Sequence, residues 1–424
     1  MAYRRRIVDD LLDEVFGSLP AIALEGAKGV GKTATGTQRV ETVLTMSNPT
    51  EQRLLTANLD LIDQVPGPVL IDEWQLTPAV WDRVRRAVDN DQTGGRYLLA
   101  GSAGVAPGVR IHSGAGRIVR LLMRPLAFSE RDLLKPIVSL QALFRGGMDD
   151  LYGTSDVDLP AYADEILRSG FPGIRELPDK ARDLQLDSYL ARIVDTELPE
   201  NGATVRRPAA LRNWLAAYAA ATSTDATYTT ILDAATPGDS EKPVRQTVDG
   251  YREHLTRIFV LDPVEAWIPT FSPLKRLTKT SKHHLVDPAL AARLVGVGKQ
   301  GLLQGKDGPA AQPTTSTWLG ALFESLVTQS VRVYAEAMGA RVGHLRTKNT
   351  DREIDLIVQG EGLRVVAIEV KLANTVTDSD VRHLNWLRDQ IGDRVAARVV
   401  VYTGKYAYRR NDGVLVVPLA LLGP

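Results

Sequence analysis

Apolar residues follow two rhythms along this chain. Between residues 1 and 130, short apolar runs bounded by turn residues alternate with helical patterns. Ala21–Glu25, Pro68–Asp72, Arg96–Ala100 and Ile118–Met123 read as buried strands, and Leu54–Leu59 as a fainter one. Strands alternating with helices predict an α/β domain built on a parallel sheet. From 131 to 270 the pattern turns helical, with Leu184–Val194 and Leu211–Ala221 carrying apolar residues at helical spacing, until a strand signal returns at Ile258–Leu261. Residues 271–315 are rich in Pro, Gly, Lys and Thr, and Gly296–Pro313 reads as a loose connector. From Ser316 a new unit begins: one helix over Trp318–Met338, then strands around Ile354–Val358, Val365–Leu372 and Arg398–Tyr402. The expected division is therefore 1–130, 131–270, a basic connector over 271–315, and 316–424.

Composition narrows the class without naming it. The 424 residues, 44% hydrophobic and 24% charged, suit an ordinary multidomain globular protein. Absence of cysteine excludes disulfides, cysteine zinc sites and a cysteine nucleophile, and agrees with a cytoplasmic setting. The start MAYRRRIVDDLLDEVF does not read as a signal peptide, and no apolar run reaches the roughly 18 residues of a membrane span. With a formal net charge of +0, any nucleic-acid partner must be argued from local patches.

One motif carries definite chemistry. Gly26-Ala27-Lys28-Gly29-Val30-Gly31-Lys32-Thr33 fits the P-loop pattern, follows a strand and precedes a helix start. Its glycines let backbone N–H groups wrap phosphate, and the helix N-terminus adds partial positive charge. Lys32 is expected on the β- and γ-phosphates of ATP and the Thr33 hydroxyl on Mg²⁺. The apolar strand Pro68–Asp72 ends in two carboxylates. Asp72 is expected to hold Mg²⁺ through water and Glu73 to polarise the attacking water.

These motifs and several later ones, in this order, resemble bacterial and archaeal AAA-type ATPases whose C-terminal part is a domain of unknown function with a restriction-endonuclease-like fold. The resemblance rests on the P-loop, Asp72-Glu73-Trp74-Gln75, Gly114-Ala-Gly-Arg117 and Arg124-Pro-Leu-Ala-Phe-Ser-Glu130. It continues through Ser169-Gly-Phe-Pro172, Lys282-His-His-Leu-Val-Asp287, Gly320-Ala-Leu-Phe-Glu324, Glu353-Ile-Asp355 and Ile368-Glu-Val-Lys371. Lys28 stands where arginine is usual. The resemblance implies that Ser102, after the strand ending at Ala100, senses the γ-phosphate, with a plain polar turn as the alternative. It also makes Arg117 an arginine finger or sensor, which in trans implies a homo-oligomer, against a structural arginine on a loop.

At the C-terminal end, alternation puts Ile354, Leu356 and Val358 on one strand face and Glu353 and Asp355 on the other. Ile368, Val370 and Leu372 alternate likewise with Glu369 and Lys371. A hairpin through Gly360-Glu-Gly362 brings Asp355 near Glu369 and Lys371. This is similar to the PD-(D/E)XK nucleases. The similarity implies Mg²⁺ on Asp355 and Glu369, Lys371 beside the attacking water, and Glu324 on the preceding helix completing the metal shell. A solvated strand face of paired charges is the alternative.

In the middle, Leu211–Ala221, the Thr227–Ala235 stretch and Val244–Ile258 read as three helices before a wing, a winged-helix-like domain. Arg245, Arg252 and Arg257 fall on the third helix, and Lys275, Arg276, Lys279 and Lys282 put four positive charges within eight residues. DNA backbone contact and a solvated face on an interaction domain both fit. The expected fold is thus α/β multidomain: a parallel-sheet AAA-type P-loop ATPase core, a helical winged-helix-like middle and an α/β nuclease-like C-terminal domain. Three functions fit it: ATP hydrolysis coupled to a DNA-directed nuclease, an ATP-dependent switch with a non-cleaving end, and a defence or toxin-type protein whose ATPase restrains its nuclease.

Overall fold

The computed structural model describes residues 3–104, 113–146, 148, 151–236, 245–268, 280–304, 315–347 and 351–424. The chain divides into two compact units. The first comprises the chain up to Arg124 with Ala191–Arg206 and Asp249–Val260; the second comprises Pro125–Leu190, Arg207–Val248 and Leu261–Pro424. The expected boundaries at 130, 270 and 315 do not coincide with this division.

The first unit is built on five strands: β1 (Ala21–Glu25), β2 (Thr42–Thr45), β3 (Val69–Asp72), β4 (Tyr97–Gly101) and β5 (Val119–Leu122). They lie in the order β2-β3-β4-β1-β5, and every pairing is parallel. Alternation sorts their side chains to two apolar layers. Ala21, Ala23, Val69, Ile71, Tyr97 and Leu99 pack with Val80, Trp81, Val84 and Val88 of helix Ala79–Asn90. Ile22, Leu24, Leu70, Leu98 and Ala100 pack with Leu12 of helix Ile7–Val15. Both faces covered by helices is what continuous apolar strands require. Leu54–Leu59 is no strand: helix Pro49–Ala57 covers most of it, started by Asn48, whose side chain accepts from Thr50 N at 3.0 Å, with Pro49 in the first turn. The edge strand β2 has no buried residue among its four, which is why its apolar signal is faint.

The second unit carries a mixed sheet of seven strands: β7 (Tyr152–Thr154), β8 (Arg341–Arg346), β9 (Glu353–Gln359), β10 (Val365–Lys371), β11 (Val395–Tyr402), β12 (Tyr406–Arg409) and β13 (Leu415–Pro418). Their order is β7-β12-β13-β11-β10-β9-β8. A small parallel pair joins β6 (Val138–Ser139) to β14 (Leu422–Gly423). The β9–β10 hairpin forms antiparallel, as alternation predicts, with Ile368 opposite Leu356 and Ala367 opposite Ile357. Toward β8 the pairing slips. Gly343 faces Ile357 but Leu345 faces Ile354, so that between these pairs two residues of β9, Asp355 and Leu356, stand against one of β8, His344. Ile354 therefore joins Ile357, Val365 and Ala367 in one core cluster instead of sharing a face with Leu356.

The three helices expected to make one winged-helix domain do not lie in one unit. Pro208–Ala220 and Tyr228–Ala235 lie in the second, while the third helix, Arg245–Arg257, belongs to the first from Asp249 onward. Ile258–Leu261 forms no strand; Leu261 makes an isolated bridge to Leu285 and Val264 one to Lys282. Of Gly296–Pro313, expected as a loose connector, the described part carries helix Lys299–Gln304, and residues 282–292 before it are all buried. Among the described residues, no helix is long and apolar enough to cross a membrane.

Buried charge organises the second unit near its start. Arg131 and Arg175 both reach Glu165 Oε2 at 3.2 Å, and all three side chains are almost wholly buried. Arg131 also donates to the carbonyls of Leu126 and Glu165 and to Gln329. Removing the shared carboxylate would leave the buried Arg131 without its ion-pair partner and Arg175 with only Glu176, 3.6 Å from its Nε. Glu165→Ala is expected to cost the second unit about 3–5 kcal/mol, read from the shift of its denaturant unfolding transition. Unchanged stability would show that the arginines are satisfied by carbonyls alone.

Candidate functional site

The P-loop runs from the end of β1 to the helix start Lys32–Gly36. Its shape demands glycine. Gly26, Gly29 and Gly31 have φ of 151°, 86° and 105°, and a Cβ on Gly26 would meet the Met123 carbonyl oxygen at 2.1 Å. The loop is braced by a residue that sequence reasoning passed over: Arg6, buried, donates to the carbonyls of Val30 at 3.0 Å and Arg124 at 2.9 Å. In the sequence it is one of three adjacent arginines, with nothing to single it out.

Lys32 is only 6% exposed. Its Nζ donates to the carbonyls of Gly26 and Ala27 at 2.8 and 2.9 Å, so it is held inside the loop where phosphate would lie. Burial lowers its ammonium to about 8, against the raising pull of Glu73 and Asp72. Parallel pairing of β3 with β4 and of β4 with β1 puts the end of β3 on the P-loop side of the sheet, at the carboxyl ends of the strands. The Thr33 hydroxyl lies 3.0 and 2.9 Å from the two oxygens of Asp72. Burial raises the Asp72 carboxyl and the Thr33 hydrogen bond opposes this. A hydroxyl and a carboxylate meeting beside a glycine cradle fit the hard-oxygen demands of Mg²⁺ carried by a nucleotide.

Glu73 and Ser102 also meet. Glu73 stands in the left-handed region at φ 52°, and its Oε2 accepts from Ser102 Oγ at 2.9 Å and from Gln75 Nε2. Gln75, part of the quoted motif but given no role there, bridges to Ser102 as well. Lys28 pairs with Glu197 at 2.8 Å. Arg117, about half exposed, pairs with Asp89 at 2.8 Å. Ala27 and Val30 are buried under the loop.

The second group of expected site residues is drawn together differently from the sequence reading. Asp355 and Glu369 are each 8% exposed, so they do not sit on a solvated face. Lys371 donates to Glu369 at 2.8 Å, and Asp355 Oδ2 accepts from Val370 N at 2.8 Å. Glu324 does approach Asp355, but both are turned to Lys282, whose Nζ lies 2.9 Å from Glu324, 2.9 Å from Asp355 and 3.0 Å from Glu353. Lys282 therefore engages two of the expected metal ligands, Glu324 and Asp355, together with Glu353, while the remaining expected ligand, Glu369, is paired with Lys371. Among the described residues no group of three or more acidic or histidine side chains is poised to hold a metal. Lys282 is also withdrawn from the basic run: it is 1% exposed and cannot contact a DNA backbone. Lys275, Arg276, Lys279 and the Arg245 side chain lie outside the described residues. Arg257 is occupied with the Asn201 carbonyl and His254, and Arg252 lies 3.6 Å from Asp249.

The first unit is a P-loop ATPase domain, defined by its all-parallel sheet, its glycine loop and the Lys32–Thr33–Asp72 grouping. Residues 18–131 match the family model described as AAA domain. Residues 159–301 and 319–422 match models described as Domain of unknown function (DUF8612) and Domain of unknown function (DUF4143). Two curated relatives, the uncharacterized proteins Mb2031c of Mycobacterium bovis and Rv2008c of Mycobacterium tuberculosis, are each 24% identical over 434 residues. The alignments cover 99% of this chain and 84% of each relative. Among solved structures, the Walker-type ATPase PABY2304 of Pyrococcus abyssi aligns over 68% of this chain and 94% of its own, with 17% identity and a TM-score of 0.40.

Lys32 sets a pH dependence. Phosphate favours its charged form, and the empty site loses that proton near pH 8. ADP affinity is expected to fall as pH rises above about 8, by up to roughly tenfold per unit, in a fluorescence titration between pH 7 and 9.5. A flat profile would mean Lys32 stays charged in the empty site.

Proposed function

We propose that this protein is an ATP-hydrolysing switch: Mg²⁺–ATP binds and is cleaved at the P-loop, and the second unit is the part whose behaviour follows the nucleotide. The observation that carries the reading is the meeting of Thr33 and Asp72 beside Lys32 in a loop that only glycine can form. Gly26–Thr33 wraps the phosphates and Lys32 supplies the point charge. Thr33 and Asp72 hold the metal ion, which neutralises phosphate charge when bound. Glu73 orients the attacking water, and Ser102 and Gln75 fix its carboxylate meanwhile. Arg117 is offered as a finger or sensor for phosphate, in trans if copies assemble.

A DNA-directed nuclease, acting in its own right or restrained by the ATPase, is the second reading. Its support is that β9 and β10 place Asp355, Glu369 and Lys371 on neighbouring strands, as a PD-(D/E)XK site needs. Lys282, paired with Glu324 and Asp355, weighs against it.

The test is turnover against binding. Lys32→Ala is expected to lose nucleotide binding by at least tenfold. Glu73→Gln is expected to keep binding and to lose ATP turnover by a factor of roughly 10² or more, the scale of a positioned acid–base group. Phosphate-release kinetics and equilibrium nucleotide binding read the two separately. Equal turnover in wild type and Glu73→Gln would remove Glu73 from the reaction, and unaltered binding by Lys32→Ala would remove the P-loop assignment.

A further inference from the structure

We infer that Lys282 is a built-in cation of the second unit, filling the place a divalent metal would take among Glu324, Glu353 and Asp355, and that removing it opens a divalent-cation site. This goes beyond the ATPase reading and holds whether or not the first unit turns over ATP.

Stoichiometry comes first. An ammonium has three N–H donors, and Lys282 Nζ has three carboxylate oxygens at 2.9, 2.9 and 3.0 Å. Each donor has one acceptor, so the group is saturated. These are hydrogen-bond lengths; Mg²⁺ would draw the same oxygens in to about 2.0–2.1 Å.

Rigidity comes second. Lys282 exchanges both backbone hydrogen bonds with Val264, each 2.9 Å. The next residue, His283, packs edge-on between Tyr218 and Tyr228 and meets the Ala226 carbonyl at 2.7 Å. His284 lies against Ser325. Asp287 closes the segment by accepting from Gly170 N at 2.6 Å. The backbone that presents the ammonium is thus fixed at Lys282 and at the residues that follow it, and the ammonium itself is held by its three carboxylates.

Charge comes third. Four carboxylates, Glu324, Glu353, Asp355 and Glu369, share two ammonium groups, Lys282 and Lys371, and Glu353 also lies 3.9 Å from the Arg346 guanidinium, which Asp225 holds as well. Glu369 keeps one buried oxygen, Oε2, with no hydrogen-bond partner among the described residues. Deleting the Lys282 ammonium would leave oxygens of Glu324, Glu353 and Asp355 facing one another with no cation between them, the composition that hard divalent ions seek.

The experiment uses full-length protein freed of nucleotide, titrated with Mn²⁺ while electron paramagnetic resonance follows the free ion. Wild type and Asp355→Asn are expected to give superimposable isotherms, since any Mn²⁺ taken up then lies elsewhere. Lys282→Gln and Lys282→Ala are expected to bind one more Mn²⁺ per chain than wild type. That ion should be lost in the Lys282→Gln/Asp355→Asn double variant. By linkage, 1 mM Mn²⁺ should raise the thermal midpoint of the Lys282 variants by more than that of wild type. Two results overturn the inference: a Mn²⁺ on wild type that Asp355→Asn removes, or folded Lys282 variants that take up no additional ion. If neither Lys282 variant folds, as circular dichroism would reveal, the wild-type and Asp355→Asn comparison decides alone. Identical isotherms then support the internal cation, and an ion lost with Asp355 refutes it.

Discussion

An ammonium group taken out of water must find oxygen atoms to replace its hydration, and how completely it finds them decides what its site can do. Both units of this protein bury a lysine almost fully. Lys32 receives two backbone carbonyls and no directly bonded carboxylate. Burial then outweighs the pull of Glu73 and Asp72, and its proton is held less firmly than in water. Such a group is half-satisfied and gains from an arriving phosphate. Lys282 receives three carboxylates, and although burial acts against the charge, the carboxylates hold the proton far more firmly than usual. That group has no donor left to offer a ligand. One site is built to wait and the other is closed.

Closure is not without tension. Glu324 and Glu369 are both pushed up to about 8, by burial first and by the Asp355 charge next. Asp355 itself is held down, because Lys282 and the Val370 N–H oppose its burial. Carboxylates packed this closely cannot all stay ionised with only two ammonium groups among them. Asp355, which has both an ammonium and a backbone donor, keeps its charge. Glu324 and Glu369 are the members whose protons are held most firmly, and the cluster titrates as one unit.

Much of the first unit could be read from its sequence. β1, β3 and β4 are short buried apolar runs ending at turn residues, β5 forms where expected but has no buried residue among its four, and the P-loop sits between a strand and a helix as its pattern requires. What escaped was the half-exposed strand β2, which lacks an apolar run, and Arg6, whose importance comes from a loop 24 residues away. In the second unit the β9–β10 hairpin and the long helix Thr315–Ala337 were legible for the same reason. The slip between β8 and β9 was not, since one extra residue leaves no mark in the pattern and yet turns Ile354 to the other face. Lys282 was misread because a run of four basic residues suggests a solvated patch. Charge counted along a sequence says nothing about which member turns inward. Two hints were available: Lys282 opens the motif Lys282-His-His-Leu-Val-Asp287, and Leu285 and Val286 that follow are poor material for a surface.

The two sites also share a placement rule. In the first unit, parallel strands bring their carboxyl ends together, so the P-loop after β1, Asp72 at the end of β3 and Ser102 after β4 gather along one edge of the sheet. In the second, β10 runs antiparallel to β9, so the end of one meets the start of the other, and Glu369 and Lys371 come to lie by Glu353 and Asp355. Polar side chains collect at strand ends because the strand centres are committed to apolar packing on both faces. From there, the residue that enters from outside the sheet sets the chemistry. In the first unit that residue is a P-loop lysine tied to carbonyls, which a phosphate can displace. In the second it is a lysine from a clamped segment, tied to carboxylates. The same sheet-edge geometry thus yields an open anion site in one unit and a self-neutralised acidic site in the other.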